Sequence, residues 1–408
     1  MASSRDSETD VAVVGGGPAG LTAAIALAAA GVATCVIAPR ARPDNRTTAL
    51  LMGSVTALAT LRVWERCAAE AAPLRTMRIV DATARLLRAP EVAFSSAEIG
   101  CDAFGYNIEN RHLAVALAAR AAELAALARI DDTVQEIEVT EDRATLRLAG
   151  GGHVRARLVI GADGRNSRCR EAAGISLTSR RYPQTALTFN LGHARPHHDA
   201  STEFHTESGP FTLVPLPAAP GRAHRSSLVC VLDPADAARL QAFDDAALGD
   251  EIERRAHSIL GKVTVEPGRG VFPLEIATAR TFARDRIALI GEAAHVIPPI
   301  GAQGLNLGIR DGATISEIAV AAHRAASDVG AADVTARYDR LRRADVTSRT
   351  IAVDLLNRSL LTDFLPVQGL RGLGLYLVDQ VGPLRRAVMR EGIAPTAATP
   401  RLMRGETL

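Results

Sequence analysis

The stretch GEAAHVIPPIGAQGLNLGIRDG, from Gly291 to Gly312, holds a glutamate, a histidine, paired prolines, several glycines and an asparagine. Three chemistries use such residues: acid/base catalysis by Glu292 or His295, metal ligation, or a loop shaped around a cofactor. No HxxxH or His–carboxylate ligand spacing surrounds His295, which argues against a metal and for a histidine packed at a helix start behind the loop. Glu292 follows the apolar run RIALIG, and a strand end of that kind suits cofactor binding better than proton abstraction. The remaining residues favour the third chemistry. Gly301 and Gly304 have no side chain to block a ligand. Pro298 and Pro299 stiffen the loop. A helix starting near Gly304 aims free N–H groups and the positive end of its dipole outward, where negative charge would be held.

A loop of this kind needs a scaffold, and the N-terminal part of the chain supplies one. VAVV is a β-branched run that leads into Gly15-Gly16-Gly17-Pro18-Ala19-Gly20, a GxGxxG sequence. LTAAIALAAAG then reads as a helix ending at Gly31, and VATCVIA as a second strand. In such a unit Gly15 permits the turn, Gly17 lets backbone approach a pyrophosphate, and Gly20 lets helix pack on strand. Placement between two strands makes the pattern specific for dinucleotide binding. An acid is expected at the end of the second strand for the adenosine ribose, but Ile37-Ala38-Pro39-Arg40 stands there; either another group such as nearby Arg40 or Asp44 holds the ribose, or this contact is lost. A further strand, Leu158 to Gly161, ends in Ala162-Asp163-Gly164, a turn that Asp163 can anchor.

These three motifs, in this order, resemble the flavoprotein aromatic hydroxylases of para-hydroxybenzoate-hydroxylase-like fold, over most of the chain. The stretches NRTTALLMGSVTALATLRVWE, FGYNIENRHLAVAL, GPFTLVPLP, FPLEIATAR and PPIGAQGLNLGIRDGATISE are similar to the ubiquinone-biosynthesis branch of that family. The resemblance implies an α/β fold: a Rossmann-like FAD-binding domain, an inserted β-sheet substrate domain and a C-terminal helical region. It implies FAD as cofactor, held by Gly15, Gly17, Pro18, Ala19, Gly20, Arg46, Arg111, Val134, Asp163, Gly291, Glu292, Gly304, Leu305 and Asn306. Pro298, Pro299 and Gly301 would form the flavin-facing loop, with no acid/base residue assigned. Glu292 takes the place of an Asp that binds a ribitol hydroxyl. The implied reaction is hydroxylation of a polyprenylated phenol by dioxygen through a flavin C4a-hydroperoxide. Only one GxGxxG is present, so the reductant, NAD(P)H or a protein electron donor, has no dinucleotide-binding unit of its own. Hydroxylation of a soluble aromatic compound, or a flavin-bound scaffold of a biosynthetic complex, remain alternatives.

Composition agrees with a globular enzyme. The chain has 408 residues, a net charge of +2 and 23% charged residues, which suggests more than one core. Aromatics are 3% and no long basic run occurs, so a nucleic-acid groove is not expected. Cys35, Cys67, Cys101, Cys169 and Cys230 lack any CxxC, which fits free thiols in a cytoplasmic protein. Residues 11–39 contain no charge, but their glycines and proline read as strand, turn, helix, turn, strand rather than a membrane span. The FAD-binding domain is expected at 1–75, 100–185 and 275–345, and the substrate domain at 76–99 and 186–274. Val214, Pro215, Phe272 and Pro273 are candidate pocket walls. In the C-terminal region, 346–408, Leu370, Leu373, Leu377 and Val381 could share a face near Arg371, Arg385, Arg386 and Arg390. Such a face would seat the protein peripherally on the inner side of a membrane, or pack on a partner in a biosynthetic complex.

Overall fold

The structure, a computed structural model, describes residues 6–40, 44–83, 89–361, 380–393 and 399–408. Ser7–Val14 turns from exposed to fully buried along its length, and its buried end pairs in parallel with Thr34–Ile37 on one side and His153–Gly161 on the other. Leu127–Ile130 and Ile287–Leu289 extend the parallel sheet outward. The chain therefore reverses direction of travel across the sheet between Ser7–Val14 and His153–Gly161. Open α/β sheets bind ligands beyond the carboxyl ends of strands at such a switch point. Gly15 and Ala162 stand there.

The chargeless segment 11–39 is explained by its surroundings. Helix Pro18–Ala29 is buried from Gly20 to Ala28, between this sheet and helix Gln303–Arg324. The two helices approach closely because Gly308 and Gly312 face Ala19 and Ala23. A helix covered on all sides can be apolar on all sides. Among the described residues no helix is long and apolar enough to cross a membrane.

The second sheet has nine strands, among them Leu177–His193, Ala200–Thr206, Gly209–Leu216, Arg225–Leu232 and Gly270–Ala279. Thr76–Asp81 joins it in parallel beside Ala200–Thr206, and Val92–Ser95 pairs with Thr76–Asp81. The sheet reaches past the expected edges at 186 and 274. Leu177 pairs with Ala279 and Thr188 with Gly270 along one antiparallel ladder, shifted in register between Arg181 and Thr185, so no linker separates the domains there. Helices Pro234–Ala242 and Asp245–Arg255 cover one face over Leu187, Phe189, Phe211, Leu213 and Leu228. Strand alternation puts Val214, Ser227, Val231, Ala186 and Phe272 on the opposite face. Of the four candidate wall residues, Val214 and Phe272 thus look away from these helices, whereas Pro215 and Pro273 alternate to their side.

A small sheet of Thr47–Leu51, Ala71–Pro73 and Gly105–Glu109 lies between the two large ones. Asn107 Nδ2 donates to Pro215 O at 2.9 Å and to Ser227 Oγ at 3.1 Å, which ties it to the uncovered face. Helix Ala332–Leu361 runs unbroken through residue 346, the expected start of a separate region, and packs on helix Gln303–Arg324. Its far end meets the nine-stranded sheet, where Tyr182 Oη donates to Asp354 and Asn357 Nδ2 donates to Gln184 Oε1 at 2.9 Å. Leu370, Leu373, Leu377 and Arg371 lie outside the described residues. Helix Gly382–Ile393 is described; Arg385 is committed to Glu98, and Val381 and Leu384 are exposed. The C-terminus returns to the core around the parallel sheet, with Leu402 buried there and Thr60 Oγ1 donating to its carbonyl.

Candidate active site

The glycine-rich turn is set by steric contact at two positions. Gly15 has φ +118°, and a Cβ there would lie 2.2 Å from Ala162 O; a Cβ on Gly20 would lie 2.2 Å from Gly15 O. The two strand ends and the helix are thus pressed together with no room for a methyl group. At Gly17 a Cβ would meet nothing within 4 Å. Gly17 is also the N-cap of helix Pro18–Ala29, with Pro18 in the first turn, no side-chain cap and no acid. The helix start therefore offers unpaired N–H groups to open space. Ala19 lies against Gly291 and Gly308, which brings this helix start beside the loop of the opening motif.

That loop ends in an unusual way. Gly301 (φ +67°) and Ala302 (φ +54°) are both left-handed, and Ala302 caps helix Gln303–Arg324 without a side-chain bond or an acid in the first turn. A left-handed alanine needs outside support, and Asn306 provides it. Its Nδ2 donates to Ala302 O at 2.6 Å and to Ala49 O at 2.8 Å, while its Oδ1 accepts from Leu51 N at 2.9 Å. Gln303 Nε2 donates to Gly301 O, and Arg349 holds Gln303 Oε1 at 3.2 Å. Pro298 is buried and Pro299 half-buried, whereas Gly301 and Gly304 are exposed. A Cβ on Gly304 would meet nothing, and Leu305 packs on the core.

The acids and the histidine are all engaged by neighbouring side chains. His295 is on the short strand His295–Val296, not at the expected helix start, and is buried with Nε2 2.6 Å from Asp311 Oδ2. Asp311 also accepts from Gly291 N at 3.0 Å and from Arg342 Nε at 2.6 Å. Burial alone would raise the pKa of Asp311, but Arg342 and His295 outweigh it and hold the carboxyl below its usual range. The sequence singled out His295 but missed Asp311 and Arg342, since nothing local in GIRDG or LRRAD marks a buried pair. Glu292 is exposed, and both its oxygens meet Arg165 at 3.2 Å. Asp163 accepts from Ser167 Oγ at 2.6 Å and Cys169 N at 3.1 Å, so it anchors the turn after its strand.

Around the site, Arg46 forms a bidentate pair with Asp44 at 2.9 and 2.8 Å, and Asn110 donates to the same carboxylate. Arg111 pairs with Glu109 at 2.8 Å. Glu109 in turn accepts from buried Arg225 at 2.8 Å, and Arg225 makes two bonds to Glu266 at 2.7 and 2.8 Å. The sequence offered no sign of this buried chain, whose members are far apart. Val134 is a core residue opposite Leu148. Ala38 is buried against Gly16, where a Cβ would come within 2.9 Å of its own. Of the two substitutes for an acid at Ala38, Arg40 pairs outward with Asp131 and Asp44 is held by Arg46 and Asn110.

FAD fits these residues. Two acid-free, uncapped helix starts suit its pyrophosphate and the electron-rich edge of its ring, and Gly17, Gly164 and Gly304 leave open space where side chains would obstruct it. Comparison with known proteins agrees. A family model described as FAD binding domain matches residues 8–348. The chain is 36% identical to ubiquinone hydroxylase UbiL of Rhodospirillum rubrum, over 99% of this chain and 95% of that one. It is 32% identical to 3-demethoxyubiquinol 3-hydroxylase of Escherichia coli, over 94% and 97% of the two chains. In fold it is similar to p-nitrophenol 4-monooxygenase PnpA of Pseudomonas putida, with a TM-score of 0.77 at 19% identity over 94% and 98%. It is likewise similar to the FAD complex of a single-residue variant of HpxO from Klebsiella pneumoniae, with a TM-score of 0.75 at 18% identity over 95% and 99%.

Proposed function

The chain belongs to the FAD-dependent hydroxylases of ubiquinone biosynthesis, and from that membership we propose that it hydroxylates the aromatic ring of a polyprenylated phenol. The observation that supports the site assignment is that helix Pro18–Ala29, with its uncapped start at Gly17, packs through Ala19 on Gly291 and Gly308, which flank the second uncapped start at Ala302. Bound FAD supplies the electron carrier and the centre at which dioxygen is activated.

The protein's own part is positional. Free N–H groups at the start of helix Gln303–Arg324 stabilise negative charge next to them. Asn306 holds that helix start and strand Thr47–Leu51 at one spacing. Pro298 and Pro299 form a stiff loop that has no N–H groups to bind water at those two positions, and exclusion of water from the ring protects the reactive oxygen. The reductant is a nicotinamide nucleotide or a protein donor. Exposed Ile351, Leu355, Val381 and Leu384, with exposed Arg386 and Arg390, support a peripheral seat on an anionic membrane that would deliver a greasy substrate.

A deletion strain tests the reading. It should accumulate a polyprenylated precursor lacking one ring hydroxyl, and the wild-type gene should clear it. Unchanged quinone content in the deletion strain would overturn the assignment.

A further inference from the structure

One pocket lies apart from the flavin site. It opens at the edge of the nine-stranded sheet, encloses about 280 Å³, and is lined by Gly192, His193, Arg222, His224, Lys262 and Thr264 among others. Pockets that enclose a whole drug-sized molecule run from about 300 to 1,000 Å³. This one is more open and smaller, so it suits one or two charged groups of a larger ligand.

Its chemistry is that of an anion site. Lys262 is the one lysine in a chain with 47 Lys and Arg combined. No carboxylate lies within ion-pair range of it among the described residues. Arg222 Nε is 3.7 Å from Glu266 Oε1, but Glu266 is already bound by both donor groups of Arg225. Positive charge is therefore in excess at the rim. Thr264 adds a hydroxyl, and the shape of the floor is purposeful: a Cβ on Gly192 would fall 2.8 Å from Thr264 Oγ1 and 3.2 Å from Arg222 Cδ. Glycine at 192 lets the arginine stem and the threonine lie flat across the strand.

Position narrows the ligand. Gly192 pairs with Arg225 and with Thr264, so all three share one face of the sheet, the face on which Arg225 reaches Glu109. An unbroken ionic chain then runs from the pocket inward: Arg222, Glu266, Arg225, Glu109, Arg111. Its last member is a proposed FAD contact. Gly268 lies against Asn45, next to Arg46.

We propose that this pocket binds phosphate groups of a reduced nicotinamide dinucleotide, which is thereby held on the substrate sheet with its nicotinamide end free to reach the flavin. The inference rests on the reading of the protein as a flavin-dependent hydroxylase and gives its reductant a place. No second GxGxxG is needed, because side-chain cations do the work that a helix start does for FAD.

The test uses FAD-loaded, full-length protein under anaerobic conditions. Affinity for NADPH and NADH is read from quenching of nucleotide fluorescence, with inorganic pyrophosphate as competitor and sodium chloride as ionic-strength control. Lys262→Gln and Arg222→Gln should each weaken nucleotide binding about ten-fold, as loss of one charge-assisted contact does. Lys262→Arg should stay within about two-fold of the parent. Pyrophosphate should compete. Equal weakening for both nucleotides assigns the pocket to their shared pyrophosphate; weakening for NADPH alone assigns it to the 2′-phosphate. FAD content and melting temperature, measured on the same samples, show whether a variant has failed for other reasons. Nucleotide affinity unchanged in both glutamine variants would overturn the proposal, as would failure of the parent to bind either nucleotide. In either case the hydroxylase reading stands or falls separately, on the deletion strain.

Discussion

The two helix starts at Gly17 and Ala302 offer the same thing, N–H groups without a side-chain cap and free of acids, and are built in opposite ways. The start at Gly17 is set by backbone sterics: a Cβ on Gly15 would lie 2.2 Å from Ala162 O, and one on Gly20 2.2 Å from Gly15 O. The start at Ala302 is made by residues far away. Asn306 ties it to Ala49 and Leu51, Arg349 holds Gln303, and Arg342 neutralises the Asp311 that anchors Gly291. The first is a steric lock, and the second is a polar scaffold whose parts can be removed one at a time. That difference would suit the proposed duties, a fixed seat for a pyrophosphate at Gly17 and a seat adjustable by many residues for a flavin ring at Ala302.

The contrast can be broken most severely at Asp311. Asp311→Asn leaves Arg342 buried without its full countercharge and should cost about 3–5 kcal/mol; calorimetry should show a large fall in melting temperature. A variant that melts with the parent would remove the polar scaffold from the comparison. Acid should act on the same group. Asp311 and Asp345 both have folded pKa values below their ordinary range; for each, burial alone would raise the value, and the neighbouring cations outweigh it. Their contribution is therefore present above the unfolded value of about 4 and is lost as pH falls through the lower folded value. Melting temperature should hold from neutrality to about pH 5 and drop below about pH 4, and Asp311→Asn should blunt that drop.

Gly20→Ala tests the steric lock. A methyl group driven at a backbone oxygen should cost about 3 kcal/mol, and FAD should be lost with it. Asn306→Ala should cost about 2 kcal/mol, since it leaves Leu51 N and Ala49 O without partners. Its effect should be local: faster hydrogen exchange at 298–306, and a larger share of reductant diverted to hydrogen peroxide, read by peroxide assay against product formed. If Asn306→Ala releases FAD as fully as Gly20→Ala does, the two helix starts are not functionally distinct. Glu292→Asp is the mildest probe. It shortens the reach to exposed Arg165, a contact worth at most about 1 kcal/mol, and should change FAD affinity by less than about five-fold by titration.

The same contrast explains how far the sequence could be read. GxGxxG was legible because its spacing sits inside one strand–turn–helix unit, where Gly20 answers to Gly15; that Gly15 answers to Ala162 on a distant strand was not legible. The helix after Gly304 was legible from its apolar period. The left-handed Ala302 was not, because alanine carries no signal for that conformation and the reason for it lies in Asn306. His295 drew attention as a titratable residue, but its partner on a later helix could not be inferred. The domain edges at 186 and 274 were placed by a change of composition, and the structure shows strands running straight through them. An antiparallel ladder leaves no compositional mark where it passes from one domain to the next.

By itself, then, the sequence determined a dinucleotide-binding turn and the parallel strands that seat it, since both follow from short-range sterics and periodicity, and family resemblance pointed from there to FAD. It also argued against catalysis by Glu292 and His295, from the absence of ligand spacing and from position at a strand end. Tertiary structure alone decided what those residues do instead and how the second helix start is held. It alone also decided which sheet face helices Pro234–Ala242 and Asp245–Arg255 leave uncovered and where surplus positive charge collects around Lys262. These are matters of register and of ion pairs between distant segments. Such pairs depend on which buried charges meet, and a linear sequence does not show that until the chain has folded.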